Sequence, residues 1–91
     1  MGSEMQERIA RAIYEGRNGR GCTPWGSVAG AHKAPYFSDA LAAMRAMRDP
    51  TEGAVAYGKQ ECSNVHDIDA EGIEEAWRDM MDYEIKKAEE G

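Results

Sequence analysis

Apolar residues recur at helical spacing through most of this chain, and no stretch of useful length alternates as a β-strand does. The sequence therefore predicts an all-α fold, with residues 1–91 forming a single helical domain. Ser3 and Gln6 form a candidate capping box, and the helix after them is expected over about 4–15. Residues 1–4 resemble a vector-derived remnant, so we expect the native chain to begin at Met5.

Two more helices are predicted in the middle of the chain. Ser38 is a favourable N-cap, and the helix that it starts is expected over about 38–48. Pro50 ends that helix, because the residue before a proline is disfavoured in the α region. Asp49 then caps a third helix, expected over about 50–60, with Pro50 at its first position.

A fourth helix is expected over about 70–89, with Asp69 as its cap. Helices two and four each carry apolar residues at helical spacing, which predicts one buried face on each. These faces consist of Leu41, Met44 and Met47 on the second helix, and of Ile73, Ala76, Trp77, Met80 and Met81 on the fourth. The sequence thus predicts a compact four-helix domain.

The segment from Gly16 to Phe37 interrupts the helical pattern. Its glycines and Pro24 favour turns, so we expect a long loop over about 16–36 between helices one and two. An arginine fork suits phosphate or carboxylate, and aromatic faces stack on bases. We therefore predict a site for an anionic, base-containing small molecule at Arg17, Arg20, Trp25, Lys33 and Tyr36.

Two parts of that segment have alternative interpretations. The glycine-rich run 16–21 follows a helix instead of a strand and lacks the Lys-Ser pair of a P-loop, so it is neither a dinucleotide fingerprint nor a P-loop. It forms either a backbone anion site or a plain solvated turn. Trp25 is either the anchor of the loop to the core or a stacking surface for a ligand.

Charge is divided unevenly along the chain. Residues 1–48 hold seven cations and four acids, a net of +3, whereas residues 49–91 hold four cations and thirteen acids, a net of −9. This polarity favours a homo-oligomer in which opposite halves meet, and it opposes binding of a long nucleic acid. No apolar stretch approaches the roughly 20 residues of a membrane span, so no membrane partner is expected.

The sequence shows no metal or catalytic signature. Cys22, His32, Cys62 and His66 have the residue types of a zinc site, but the spacing from Cys22 to His32 is too long for the usual ligand pair. No serine or cysteine stands in a nucleophile motif, so neither enzyme activity nor a cofactor is predicted. Two distant cysteines without a secretion signal indicate reduced thiols in a cytoplasm.

Three helical segments resemble a group of small uncharacterised proteins of proteobacterial phages and prophages. They are IARAIYE (Ile9–Glu15), DALAAMRAMRDPTE (Asp39–Glu52) and WRDMMD (Trp77–Asp82). The resemblance implies a phage accessory protein that acts in the host cytoplasm, with no catalytic residues to transfer.

Among such proteins the resemblance implies counter-defence by stoichiometric binding, here by sequestering an anionic nucleotide signal. One alternative is an anti-CRISPR-like inhibitor that binds a host defence protein, with its acidic last helix mimicking nucleic acid. The acids that would form that stripe are Glu71, Glu74, Glu75, Asp79, Asp82 and Glu89. Another alternative is a minor structural protein of the phage particle.

Overall fold

The computed structural model describes residues 3–63 and 70–90, and within them the fold is all-α, with four helices and no strand. Helix α1 spans Glu4–Asn18, α2 spans Gly30–Met47, α3 spans Glu52–Ser63 and α4 spans Ala70–Glu90. A 3₁₀ turn at Trp25–Ser27 lies between α1 and α2. Helix α2 packs against both α1 and α4, while α3 packs against α4.

Helix α1 begins at the predicted cap but ends later than predicted. The Ser3 Oγ accepts a hydrogen bond from the Gln6 amide at 2.9 Å. The helix continues through Gly16 to Asn18, and it ends where Gly19 adopts a positive φ of 72°. A glycine at that position avoids the Cβ clash of the left-handed region. The prediction that the helix ends before Gly16 is therefore wrong.

The predicted long loop over 16–36 is wrong, because α2 begins at Gly30 and the connection is only residues 19–29. Ser38 is not a cap but an exposed residue inside α2, and Pro35 also lies within the helix. Proline in a helix loses the bond to the carbonyl four residues earlier, here that of Ala31. The helix forms nonetheless because the next residues, Tyr36 and Phe37, pack against the α1 core.

The cap of α3 also differs from the prediction. The Thr51 Oγ1 accepts from the Ala54 amide at 3.1 Å, so Thr51 caps the helix and Pro50 precedes it. Asp49 instead pairs with Arg78 of α4 at 3.0 Å. The fourth helix matches its predicted range closely, whereas its predicted cap, Asp69, lies outside the described residues.

Two apolar clusters form the core, and they meet at Ile9, which packs against both. The first cluster lies between α1, the 3₁₀ turn and α2, and its buried members are Ala10, Tyr14, Trp25 and Ala40. The second lies between α2 and α4, and its buried members are Met44, Met81 and Ala88. The Gln6 side chain adds a cross-link, because its Nε2 donates to the Phe37 carbonyl at 3.0 Å.

The buried face of α4 lies to one side of the predicted face. Met81 is buried as predicted, but Ala76, Trp77 and Met80 are exposed. Helix α4 packs on α2 through Met81 and Ala88, and it is tied to α2 by ion pairs from Arg45 to Glu89 and from Arg48 to Asp82 at 2.7 and 2.6 Å. On α2, Met44 is buried and Leu41 is half-buried, while Met47 is exposed.

Helix α3 has a smaller contact with the rest of the fold. Val55 is its one buried residue among the positions whose side chains are described. Gly58 lies against α4, since a Cβ built at Gly58 would come within 3.4 Å of Cγ2 of Ile73. No helix in the described part of the chain is long and apolar enough to cross a bilayer.

Candidate functional site

A cavity of about 660 Å³ lies between the end of α1, the 19–29 connection and the first half of α2. Helix α1 contributes Tyr14, Arg17 and Asn18, which lie three and four residues apart and so share a face. Helix α2 contributes His32, Pro35, Tyr36 and Asp39 at the same helical intervals. Because Pro35 and Tyr36 belong to a helix instead of a loop, the cavity has two rigid helical walls.

Aromatic rings form the inner part of this region. Tyr14 and Tyr36 lie edge to face with their centroids 5.3 Å apart, and the centroid of Trp25 lies 5.5 Å from that of Tyr14. Trp25 also contacts Phe37, with centroids 5.8 Å apart. Edge-to-face pairs of this kind stabilise a core beyond the area that they bury. The four rings therefore fix the position of the cavity relative to both helices.

Hydrogen bonds hold the hydroxyls of the two tyrosines, whereas the buried Nε1 of Trp25 has no hydrogen-bond partner among the described residues. The Tyr14 hydroxyl donates to the Thr23 carbonyl, which ties α1 to the connection. The Asn18 Nδ2 donates to the Tyr14 carbonyl at 2.8 Å and to the Tyr36 hydroxyl at 3.3 Å. Burial raises the pKa of the Tyr14 phenol, and the neighbouring Cys22 side chain raises that pKa further.

The cavity is lined by the charged residues Arg17 and Asp39 and by the imidazole of His32. Among the residues that the structure describes, Arg17 takes part in no ion pair, whereas the arginines at 8, 11, 45, 48 and 78 are all paired. Its guanidinium is therefore available to an anion. Asp39 places a carboxylate in the same cavity, so the site combines an anion-binding group with a hydrogen-bond acceptor.

Of the five predicted site residues, Arg17 and Tyr36 line the cavity. Trp25 is only 6% exposed and lies in the first apolar cluster, so it anchors the connection to the core and offers no stacking surface. Lys33 packs with its Nζ 4.7 Å from the centroid of the Trp25 ring. Arg20 is exposed in the turn after α1 and does not line the cavity.

Sequence reasoning assigned no site role to the other lining residues, among them Tyr14, Asn18, His32 and Asp39. A signal for them existed in their spacing, since positions 14, 17 and 18 and positions 32, 36 and 39 each fall on one helical face. That signal was hidden because residues 16–36 were assigned to a loop. Once Gly30–Met47 is read as one helix, both faces can be read from the sequence.

Only some of the candidate zinc ligands have side chains in the described part of the chain. No group of three or more potential metal ligands is found among the residues whose side chains are described. Cys22 is a free thiol that is half-buried beside the first apolar cluster. The side chain of Cys62 and the whole of His66 lie outside the described part.

The acidic residues of α4 do not form a continuous unpaired stripe. Glu74 pairs with Arg78 at 3.2 Å on the same helix, and the carboxylates at 82 and 89 pair with arginines of α2. Glu75 and Asp79 are exposed, and the side chain of Glu71 lies outside the described part. Half of the six acids are therefore already neutralised within the chain.

Comparisons with known proteins assign no function to the cavity or to the acidic residues of α4. No protein-family model matches the chain, and neither the curated proteins nor the solved structures contain a match. The chemistry of the cavity therefore has to be inferred from the residues that line it.

Proposed function

We propose that this chain binds a small molecule carrying an anionic group and a planar ring, in the cavity between α1 and α2. The observation that carries the proposal is that the unpaired guanidinium of Arg17 and the ring of Tyr36 line the same cavity. The cavity volume of about 660 Å³ falls in the range of small-molecule sites, roughly 300–1,000 Å³. Its walls are helices, which favours a site that exists before the ligand arrives.

Each polar residue has a role that follows from its chemistry. Arg17 offers a planar fork of donors to a phosphate or carboxylate, and His32 adds a ring N–H. Asp39 can only accept hydrogen bonds when ionised, so it favours a ligand that also presents an N–H donor. A nucleotide meets both demands, because its phosphate is anionic and its base carries N–H groups.

The biological role in this proposal is capture without a reaction. On the resemblance of its helices to phage and prophage proteins, the chain acts in the host cytoplasm as a counter-defence factor. It sequesters a nucleotide signal in proportion to its own concentration. One molecule of ligand per cavity is the stoichiometry that the proposal requires.

The alternative of an acidic nucleic-acid mimic has less support. A mimic needs unpaired carboxylates in series, but Arg45, Arg48 and Arg78 already neutralise three of the acids on α4. Two of these arginines belong to α2, so Asp82 and Glu89 are held against that helix. We therefore rank small-molecule capture first.

Calorimetry with a panel of cyclic and ADP-ribose-type nucleotides tests the proposal, and the chain offers a matched pair of arginines. Arg17→Ala removes a guanidinium that lines the cavity, while Arg20→Ala removes one that lies outside it three residues later. We expect Arg17→Ala to weaken binding about ten- to a hundredfold, as the loss of charge-assisted bonds to phosphate would. Arg20→Ala should bind as the wild type does.

Circular dichroism of both variants confirms that α1 is intact, because both residues are exposed. Absence of binding by every nucleotide in the panel would refute the nucleotide assignment. Equal affinity of Arg17→Ala and the wild type would refute the assignment of the cavity as the site.

A further inference from the structure

The hydroxyl group of Tyr36 is held in one place in the wall of the cavity between α1 and α2. The Tyr36 side chain is half-buried, and its ring packs edge to face against the rings of Tyr14 and Trp25, with centroids 5.3 and 6.2 Å away. Both Tyr36 and Asn18 line the cavity, and the Tyr36 hydroxyl lies 3.3 Å from the Asn18 Nδ2. These contacts fix the position of the hydroxyl relative to both helices.

The direction of the hydrogen bond between Asn18 and Tyr36 follows from a second contact of Asn18. The backbone carbonyl of Tyr14 can only accept hydrogen bonds, and it lies 2.8 Å from the Asn18 Nδ2. The Asn18 amide must therefore present its NH₂ group to that carbonyl, and not its oxygen. The same NH₂ group donates its other hydrogen to the Tyr36 hydroxyl. The Tyr36 oxygen accepts in this bond, so its own hydrogen is not used.

The hydrogen of the Tyr36 hydroxyl is accepted by none of the described residues, and the carboxylate of Asp39 in the same cavity does not take it either. A hydroxyl that already accepts a hydrogen bond is a better donor, because linked hydrogen bonds polarise one another. The cavity therefore presents a neutral O–H donor in addition to the guanidinium of Arg17, which precedes Asn18 in the chain.

We propose that the Tyr36 hydroxyl donates to the same anionic group that Arg17 binds, and that Asn18 is a positioning residue that keeps this hydrogen available. This role of Tyr36 rests on the proposed function of the cavity. It favours a phosphate over a carboxylate as the anionic group. An arginine fork engages two oxygens, which are all that a carboxylate has, whereas a phosphate leaves a third oxygen for the hydroxyl.

Titration with inorganic phosphate, followed through the amide signals of the protein in NMR spectra, tests the proposal with Tyr36→Phe as the variant. Phenylalanine keeps the ring that packs on Tyr14 and Trp25 and loses only the hydroxyl. We expect Y36F to weaken phosphate binding at least about tenfold, as the loss of one hydrogen bond to a charged group would. Tyr57→Phe is the matched control, because it removes the hydroxyl of an exposed tyrosine of α3 outside the cavity, and it should bind as the wild type does.

Acetate is the comparison ligand. We expect Y36F to lower the affinity for phosphate more than the affinity for acetate, because the Arg17 fork already engages both acetate oxygens. A change in packing would weaken the binding of both anions alike. Equal losses for the two anions would overturn the assignment of Tyr36 to a phosphate oxygen.

The positioning role of Asn18 needs a double-mutant cycle. Asn18→Ala removes the NH₂ group that orients the hydroxyl, and we expect it to weaken phosphate binding less than Y36F does. In the Y36F background the same change should have no further effect, because Asn18 acts only through the hydroxyl. Additive losses would overturn the positioning role, and circular dichroism of each variant checks that α1 is intact.

The nucleotide panel separates this role of Tyr36 from the proposed function. Nucleotide binding that Arg17→Ala weakens and Y36F does not would keep the proposed function and overturn the role of the hydroxyl. Phosphate binding that depends on Tyr36, without binding of any nucleotide, would support the role and refute the nucleotide assignment. A wild type that binds no phosphate, or a Y36F variant that binds it equally well, would overturn the role of Tyr36.

Discussion

Trp77 of α4 donates a hydrogen bond from its Nε1 to the carbonyl oxygen of Met47, at 2.7 Å. Met47 is the last residue of α2, and the last carbonyls of a helix have no partner within it. One helix is thus capped by a side chain from another. This bond also explains why Trp77 holds a fixed position although 36% of it is exposed.

Replacing Trp77 with phenylalanine removes this bond while keeping an aromatic ring. We expect Trp77→Phe to lower the free energy of unfolding by about 0.5–1.5 kcal/mol, the usual net contribution of one hydrogen bond. Urea denaturation at equal protein concentration measures the change. Tyr57→Phe, an exposed aromatic substitution on α3, is the control and should have little effect. Equal stability of Trp77→Phe and the wild type would contradict the capping role.

Replacing Trp25 with alanine should lower the stability of the fold itself, whether or not a ligand is present. Trp25 is buried among Tyr14, Tyr36 and Phe37, and removal of a buried tryptophan side chain costs about 3–5 kcal/mol. That is a large part of the roughly 5–15 kcal/mol that stabilises a typical domain. We expect Trp25→Ala to be largely unfolded at moderate urea concentrations by circular dichroism. A loss below about 1 kcal/mol would show that the tryptophan is not an anchor.

The main helices were predictable because local signals and packing agree there. Ser3 is both a favourable cap and the observed one, and Met44 and Met81 are apolar at helical spacing and fully buried. The prediction failed where tertiary packing overrides a local signal. Pro35 indicates an interruption, yet the burial of Tyr36 and Phe37 on α1 keeps α2 helical through it.

The composition of the candidate site was only partly predictable for a related reason. Composition drew attention to Arg17 and Tyr36, which line the cavity, but it could not tell a lining residue from a core residue, as Trp25 shows. On α4, Met80 was expected in the core because it is apolar, but its side chain is exposed. Which side of a helix faces the core depends on its neighbours, and a single sequence does not contain that information directly.

Alkaline pH should destabilise the protein through Tyr14. Burial and the neighbouring Cys22 side chain raise the pKa of Tyr14 above its ordinary value of 10.0. The unfolded chain therefore loses this proton at a lower pH than the folded chain does. The stabilisation is complete below about pH 10 and is lost as the pH rises through the raised value. Urea denaturation as the pH rises above about 10 should show a smaller loss of stability for Tyr14→Phe than for the wild type, and equal losses would contradict this.

Acid should weaken the contact between α2 and α4 through Asp82. The hydrogen bond from Arg48 lowers the pKa of Asp82 below its ordinary value of 3.8. This stabilisation is present above that value and disappears as the pH falls through the lowered pKa. Both side chains are about half exposed, so the effect is small and weakens with salt. Asp82→Asn should be less stable than the wild type at neutral pH, and the difference should close in acid.

Helix α3 has the smallest contact with the rest of the fold. It should therefore open more readily, and accept more changes of sequence, than α1, α2 or α4. Helix α3 rests on α4 through Val55 and the close approach of Gly58 to Ile73, whereas α1, α2 and α4 share two apolar clusters. Amide hydrogens of α3 should exchange with solvent by local opening, well before those of α2. Since α3 contributes no residue to the cavity between α1 and α2, its sequence can drift while that cavity keeps its shape.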